Sequence, residues 1–212
     1  MSKSLLNALK ATAVLVAVAA VCVTLLTVCN MFFPKYVPTL DSATAKLINN
    51  ICPTGQSDGD AFSDGYIVLL KESELGVDIA KFNKNNKTKK VEVLAVYAEP
   101  KGDNMLAYII ESKSAGRDGD VVILTAYSYR EKTVIGATVK KQGESYWDKL
   151  PENLFETLKN TPVDKVDLTD EFVKTGATLS LTAIERAVNI SNKFAIDYRD
   201  KIIESITGGG RV

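Results

Sequence analysis

The chain contains no histidine. That absence removes any mechanism built on a histidine general base, metal ligand or neutral-pH switch. Cysteine is scarce as well. Cys22, Cys29 and Cys52 show no CxxC spacing, so they build neither a disulfide framework nor a zinc or iron–sulfur site. Net charge is also missing, with 26 Lys+Arg against 26 Asp+Glu. Lys3 and Lys10 are the only charged side chains in residues 1–34, which leaves 24 basic and 26 acidic groups in residues 35–212, a net of −2. A domain so balanced is not a nucleic-acid binder working by bulk charge. At 46% hydrophobic residues it is not an acidic disordered chain either.

What the chain does have is one long apolar run. Residues 11–29 are 19 residues without a charge, interrupted only by three threonines. As a helix the run is roughly 28 Å long, enough to cross the hydrocarbon core. Its six Val and three Leu contribute on the order of −3 to −5 kcal/mol to insertion. A secretory signal peptide would be shorter and would end in a small-x-small cleavage site. This run ends in bulky residues over 28–34, which suit a membrane interface better, and Val28 spoils a lipoprotein site at Cys29. The expectation is a retained single-pass anchor in the plasma membrane. Lys3 and Lys10 precede the run and Lys35 stands alone after it, so the positive-inside rule puts the N-terminus in the cytoplasm and the C-terminal domain outside. Cys22 and Cys29, seven apart, fall on one face of that helix.

The remaining chain divides into a linker over 35–65, with a short amphipathic helix at 41–51, and a domain over 66–212. Strand-like runs follow one another at 66–71, 77–82, 91–97, 105–111, 121–127 and 133–140. Short turns separate them, so an antiparallel sheet is expected. Val91, Val93, Ala95 and Tyr97 alternate to one side of their strand, as do Ile135, Ala137 and Val139 of theirs. The basic cluster Lys81, Lys84, Lys87, Lys89 and Lys90 reads as a solvated hairpin turn, with a docking face for an acidic partner as the other reading.

Helical patterns dominate what remains. Residues 146–160 read as a helix restarted at Pro151. Leu181, Ile184, Val188, Ala195, Tyr198, Ile202 and Ile206 recur at spacings of three, four or seven, the face of one long helix. Thr182 to Glu185 fits a capping box near its start and the glycines 208–210 mark its end. The fold class is therefore α+β, an antiparallel-sheet domain with a long C-terminal helix behind a single N-terminal transmembrane helix.

The segment just ahead of that helix carries the chemistry. Lys174, Thr175, Gly176, Ala177, Thr178, Leu179 and Ser180 place a threonine hydroxyl among very small neighbours. Gly176 and Ala177 leave the backbone open to close approach. Free N–H groups at a helix start, with the positive end of its dipole, favour a phosphate. An anion held covalently at Thr178 would meet ready-made donors. The plainer reading of the same residues is a polar loop capping a helix.

Thr175-Gly176-Ala177-Thr178-Leu179-Ser180, followed by Ala183-Ile184 and Ala187-Val188, resembles the flavinylation motif of the FMN-binding domain family. That family includes a flavinylated component of the Rnf complex (ferredoxin:NAD oxidoreductase) and its longer counterpart in the Na-translocating NADH:quinone reductase. The resemblance implies that FMN is joined through its phosphate to Thr178, installed from FAD by a flavin transferase. The order of anchor, sheet, motif and terminal helix agrees along most of the chain, and the length is closer to that of the Rnf component. Two places depart from the family. Its usual acid six residues before the modified threonine is Phe172 here, with Asp170 and Glu171 just upstream. Its Glu-Thr-Pro-Gly-Leu-Gly segment, which helps enclose the flavin, corresponds to residues 143–148. Glu144 and Ser145 match that pattern conservatively, while Tyr146 and Trp147 replace Pro-Gly. Either aromatic could stack on an isoalloxazine ring, though core packing is the competing role for Trp147.

The tripeptide Gly136-Ala137-Thr138 repeats the motif's centre but lacks the leading Ser or Thr and lies in a strand-like run. Thr138 is therefore assigned to structure. The function expected on this resemblance is a covalently flavinylated electron carrier of an Rnf-type complex, taking electrons from an iron–sulfur subunit and passing them to another flavin subunit. Its partners would be the other membrane subunits and, during maturation, the transferase. The alternatives are the homologous subunit of a quinone-reducing complex, a stand-alone extracytoplasmic flavin carrier, or a cofactor-free membrane-anchored adaptor.

Overall fold

The computed structural model describes residues 40–52, 67–86, 90–98, 107–168 and 178–207, with positions 12, 15, 16, 18–20, 23 and 24. Those isolated positions are helical; the rest of the expected span over 11–29 lies outside the described residues, with its flanking lysines, Cys22 and Cys29. Among the described residues no helix is long and apolar enough to cross a membrane. The chain forms two compact units, Met1–Val37 and Pro38–Val212.

The second unit is a mixed α+β domain. Five strands, β1 (Val68–Leu70), β2 (Val91–Ala98), β3 (Ala107–Ala115), β4 (Asp120–Ser128) and β5 (Val134–Lys141), pair antiparallel in sequence order. A helix covers each face. Helix α1 (Ser42–Ile51) packs on β5 and β4, and the C-terminal helix, α4 (Thr178–Thr207), lies across β2, β3 and β4. Because both faces are covered, β4 reads as an almost unbroken apolar run. Val121, Ile123 and Tyr127 face α4, while Leu124 and Ala126 face α1.

Helix α4 follows its sequence pattern. Leu181, Ile184, Val188, Ala195 and Ile202 are buried, and beside them Phe82 meets Phe194 and Tyr198 edge-on while those two rings are tilted against each other. Each large buried side chain contributes about 1.5–3 kcal/mol. The capping box is not present. Thr182 lies inside the helix and its hydroxyl donates to the Thr178 carbonyl at 2.7 Å, while Glu185 accepts from Leu168 N at 3.1 Å. The helix begins four residues earlier, at Thr178.

Helix α1 begins as expected. The Asp41 carboxylate accepts from Thr44 N at 2.6 Å, which satisfies a free amide of the first turn. Ala45, Ile48 and Ile51 then go under the sheet, so this segment belongs to the domain's own core. Its C-terminal end rests on β5 at Gly136, where a Cβ would come within 3.0 Å of the Ile51 carbonyl oxygen. The repeated tripeptide thus serves a helix–sheet approach, and Thr138 sits in β5 opposite Leu124.

Several expectations are overturned. Residues 77–82 are not a strand. Glu72–Leu75 (α2) ends at Gly76 in the left-handed region, φ 58°, and Ile79–Asn85 (α3) follows. Asp78 caps α3 through Lys81 N at 2.7 Å, and Ile79 and Phe82, three apart, point into the core. Val77 and Ile79, two apart, suit a strand, while Ile79 and Phe82, three apart, suit a helix, and the Asp78 cap decides between them. Lys81 and Lys84 therefore lie on a helix, not in a hairpin turn; Lys87 and Lys89 lie outside the described residues.

The alternations in β2 and β5 also break. The register shifts between Val93 and Ala95, so Val91 and Val93 face α4 while Ala95 and Tyr97 face α1. A second shift, opposite Ala126 and Tyr127, sends Ile135 to the α1 face and leaves Ala137 and Val139 on the α4 face. One extra residue in a strand moves everything beyond it to the other side. Residues 146–160 form no α-helix. A single 3-10 turn, Trp147–Lys149, precedes Pro151, and Leu154, Glu156 and Lys159 then close tight i→i+3 turns. Pro151 has no N–H to continue a helix across the break.

An irregular stretch over 163–167, with bends at Val163 and Asp164, runs beside α4 and is held by side chains of that helix. Asn189 bonds both Val166 N and Val166 O, at 2.7 and 2.8 Å, and Asn192 donates to the Asp164 carbonyl.

Candidate functional site around Thr178

The start of α4 meets one end of the sheet, where the β3–β4 turn and the loop after β5 come together. Ser112 in β3 fixes the helix over that end by donating to the Ala187 carbonyl at 2.8 Å. Thr178 is the first residue of the helix and is exposed. Its hydroxyl has no hydrogen-bond partner among the described residues. Leu179 beside it is 57% exposed. Ser180 turns inward and is only 2% exposed.

Ser180 meets Glu144. Its hydroxyl donates to Glu144 Oε2 at 2.7 Å. The other carboxylate oxygen, Oε1, accepts from the amides of Asp118 at 3.0 Å and Gly119 at 3.1 Å. Glu144 is 5% exposed. Desolvation pushes its carboxyl up, but donation from Ser180 and from the amides of Asp118, Gly119 and Arg117 outweighs that and holds it below its ordinary value. The carboxylate therefore ties together three segments that are remote in sequence. Gly116 makes the space for it, since a Cβ there would stand 2.1 Å from Oε1.

The neighbouring candidates are placed differently. Ser145 is exposed, and its amide donates to Asp118 Oδ2 at 3.3 Å. Tyr146 is half-buried with the Lys149 ammonium 4.5 Å and the Arg117 guanidinium 5.3 Å from its ring centre. Trp147 is half-buried and packs against the main core. Thr175, Gly176, Ala177 and Phe172, with Asp170 and Glu171, lie outside the described residues.

From sequence, 114–119 is a turn and nothing more. In the structure that turn supplies the amides that hold Glu144. The signal available was Gly116 and Gly119 within a Ser-Ala-Gly-Arg-Asp-Gly cluster, more glycine than a plain hairpin needs. A second buried carboxylate also escapes sequence reasoning. Glu111, in the apolar run of β3, accepts from the Tyr97 hydroxyl and from Lys140 Nζ at 2.9 Å on the α1 side of the sheet. Its place directly after the apolar Ala-Tyr-Ile-Ile of residues 107–110 was the available hint. No protein-family model matches this chain, and no curated protein matches it either.

Proposed function

We propose that this protein is a membrane-anchored flavin carrier, with FMN joined through its phosphate to Thr178, acting as a redox subunit of an Rnf-type electron-transport complex. The observation that carries the reading is the position of Thr178: an exposed hydroxyl at the first residue of a thirty-residue helix, within the Thr-Gly-Ala-Thr-Leu-Ser sequence. The residues present suit a phosphate there. Nothing acidic occupies the first turn, and the positive end of the helix dipole favours an anion. The Glu144 carboxylate nearby is directed to Ser180 and to the turn amides, so its charge is already met by donors.

When bound, FMN supplies reversible electron carriage, which the polypeptide itself lacks. The chain's own residues tether and position. Thr178 gives the attachment oxygen. Ser180 and Glu144 fix the turn that presents it. Lys149, Arg117 and Tyr146 form a mixed cationic and aromatic rim near Glu144. The anchor expected over 11–29 keeps the domain at the membrane, where a non-covalent flavin on the outer face would be lost by diffusion.

In-gel flavin fluorescence after denaturing electrophoresis tests this. A chain produced with a flavin transferase is expected to fluoresce, to lose the signal in Thr178→Ala and to keep it in Thr138→Ala. A dark wild-type band under those conditions refutes the carrier and leaves a cofactor-free adaptor.

A further inference from the structure

Three hydroxyls stand within the first five residues of α4, at Thr178, Ser180 and Thr182, and the structure treats each differently. Thr178 is exposed with no partner among the described residues. Thr182 is half-buried and bonded back to the Thr178 carbonyl. Ser180 is buried and committed to Glu144 at 2.7 Å. The Glu144 carboxylate is in turn held by two amides of the β3–β4 turn, 26 and 25 residues earlier in the chain. Both of its oxygens are thereby occupied by the protein. This arrangement leaves Glu144 facing inward, so it holds the helix start from beneath and offers no free oxygen to a ligand.

We propose that Glu144 is a positioning residue that makes Thr178 the site of attachment. It withdraws the Ser180 hydroxyl from reaction and locks the first turn of α4 against the β3–β4 turn, with Thr178 turned outward. The inference rests on the flavin reading and goes beyond it by naming what selects one hydroxyl among three. In the transfer, Thr178 Oγ1 forms the bond to the FMN phosphorus of FAD and gives up its proton to a base of the transferase. The bond from that phosphorus to the bridging oxygen breaks, AMP leaves with the electron pair, and no group changes oxidation state.

The selection has a physical basis in donor strength. A hydroxyl that donates to a carboxylate makes one of the stronger hydrogen bonds available. For Ser180 to react it would have to give up that bond and leave a buried carboxylate short of a donor. Among the described residues Thr178 has no comparable bond to give up.

The test uses the full-length chain in detergent with FAD and a flavin transferase. The rate is read by in-gel fluorescence, and the attachment site by fragmentation of the peptide spanning 175–186 in a mass spectrometer. Wild type is expected to carry flavin at Thr178 alone. Glu144→Ala is expected to label there about tenfold more slowly, the worth of one lost hydrogen bond to a charged group, and to give a second product at Ser180. Glu144→Gln keeps an oxygen for the turn amides and turns its NH2 to Ser180, where it donates to Oγ and occupies the lone pair needed for attack, so it is expected to restore single-site labelling. Glu144→Asp, one methylene shorter, is the milder variant and is expected to show the Ser180 product at lower yield. Labelling of folded Glu144→Ala or Glu144→Asp at Thr178 alone, at the wild-type rate, overturns the proposal and leaves flavin attachment intact. A wild-type chain without label overturns both. Hydrogen exchange on the unlabelled chain gives a readout free of flavin. Amides at 178–184 are expected to exchange faster in Glu144→Ala, and unchanged protection there also counts against the role.

Discussion

Replacing Gly116 with alanine should destabilise the domain by displacing Glu144, although Glu144 itself is untouched. The new Cβ would lie 2.1 Å from Glu144 Oε1 and 2.5 Å from its Cδ, so the carboxylate must leave. Its departure strands the buried Ser180 hydroxyl, at about 1–3 kcal/mol, and costs the Asp118 and Gly119 amides a charged acceptor. Those two amides are only partly buried and can turn to water, so the total is about 3 kcal/mol, or roughly 10 °C in Tm for a domain of this size. Glu144→Ala should cost a similar amount for the same reason. The two changes should not add. With the carboxylate already gone, the new Cβ still meets the Gly119 carbonyl at 2.8 Å, a clash worth about 1 kcal/mol. The double variant should therefore be about 4 kcal/mol below wild type, a coupling near 2 kcal/mol between contacting groups. Urea unfolding of the full-length chain in mild detergent, followed by the fluorescence of Trp147, the only tryptophan, measures all four corners of the cycle. Single-variant costs that add to within about 0.5 kcal/mol would refute the reasoning.

Phe194→Ala should cost about 3–5 kcal/mol, because it empties the fully buried centre of the Phe82, Phe194 and Tyr198 cluster beneath α4; a loss below about 1 kcal/mol by the same unfolding assay would mean that the cluster collapses to fill the space. Burial pushes the Tyr108 phenol up from 10.0 to about 12 and holds Tyr127 well above its ordinary value. The folded state prefers both neutral, so their contribution is intact below pH 10 and is withdrawn as the pH rises through about 12. An ultraviolet difference titration should show these two of the eight tyrosines ionising only together with loss of the near-ultraviolet circular dichroism; reversible ionisation of every tyrosine in folded protein would contradict it.

The sequence by itself determined the elements whose signal is local and long. The spacing of Leu181, Ile184, Val188, Ala195 and Ile202 fixed α4, because a 3.6-residue period sustained over many turns has one way to bury its apolar side. The amphipathic pattern of 41–51 announced α1, and the apolar runs of β2 to β5 announced the sheet. The start of α4 was not announced: the Thr182 to Glu185 pattern placed it four residues too late, and the structure puts Thr178 inside its first turn. Tertiary structure decided what depends on partners far along the chain. The bulges beyond Val93 and around Ile135 turned half of each strand to the opposite face, because a period of two carries no memory of an inserted residue. Asp78 and the side chain of Asn83, which bonds both Val93 N and Val93 O, settled 79–85 as a helix docked on β2. The meeting of Glu144 with Ser180, 36 residues apart, is of the same kind. A buried carboxylate needs donors from wherever the fold brings them, and only the closed sheet end, with Gly116 leaving room, brings Ser180 and the turn amides to one point.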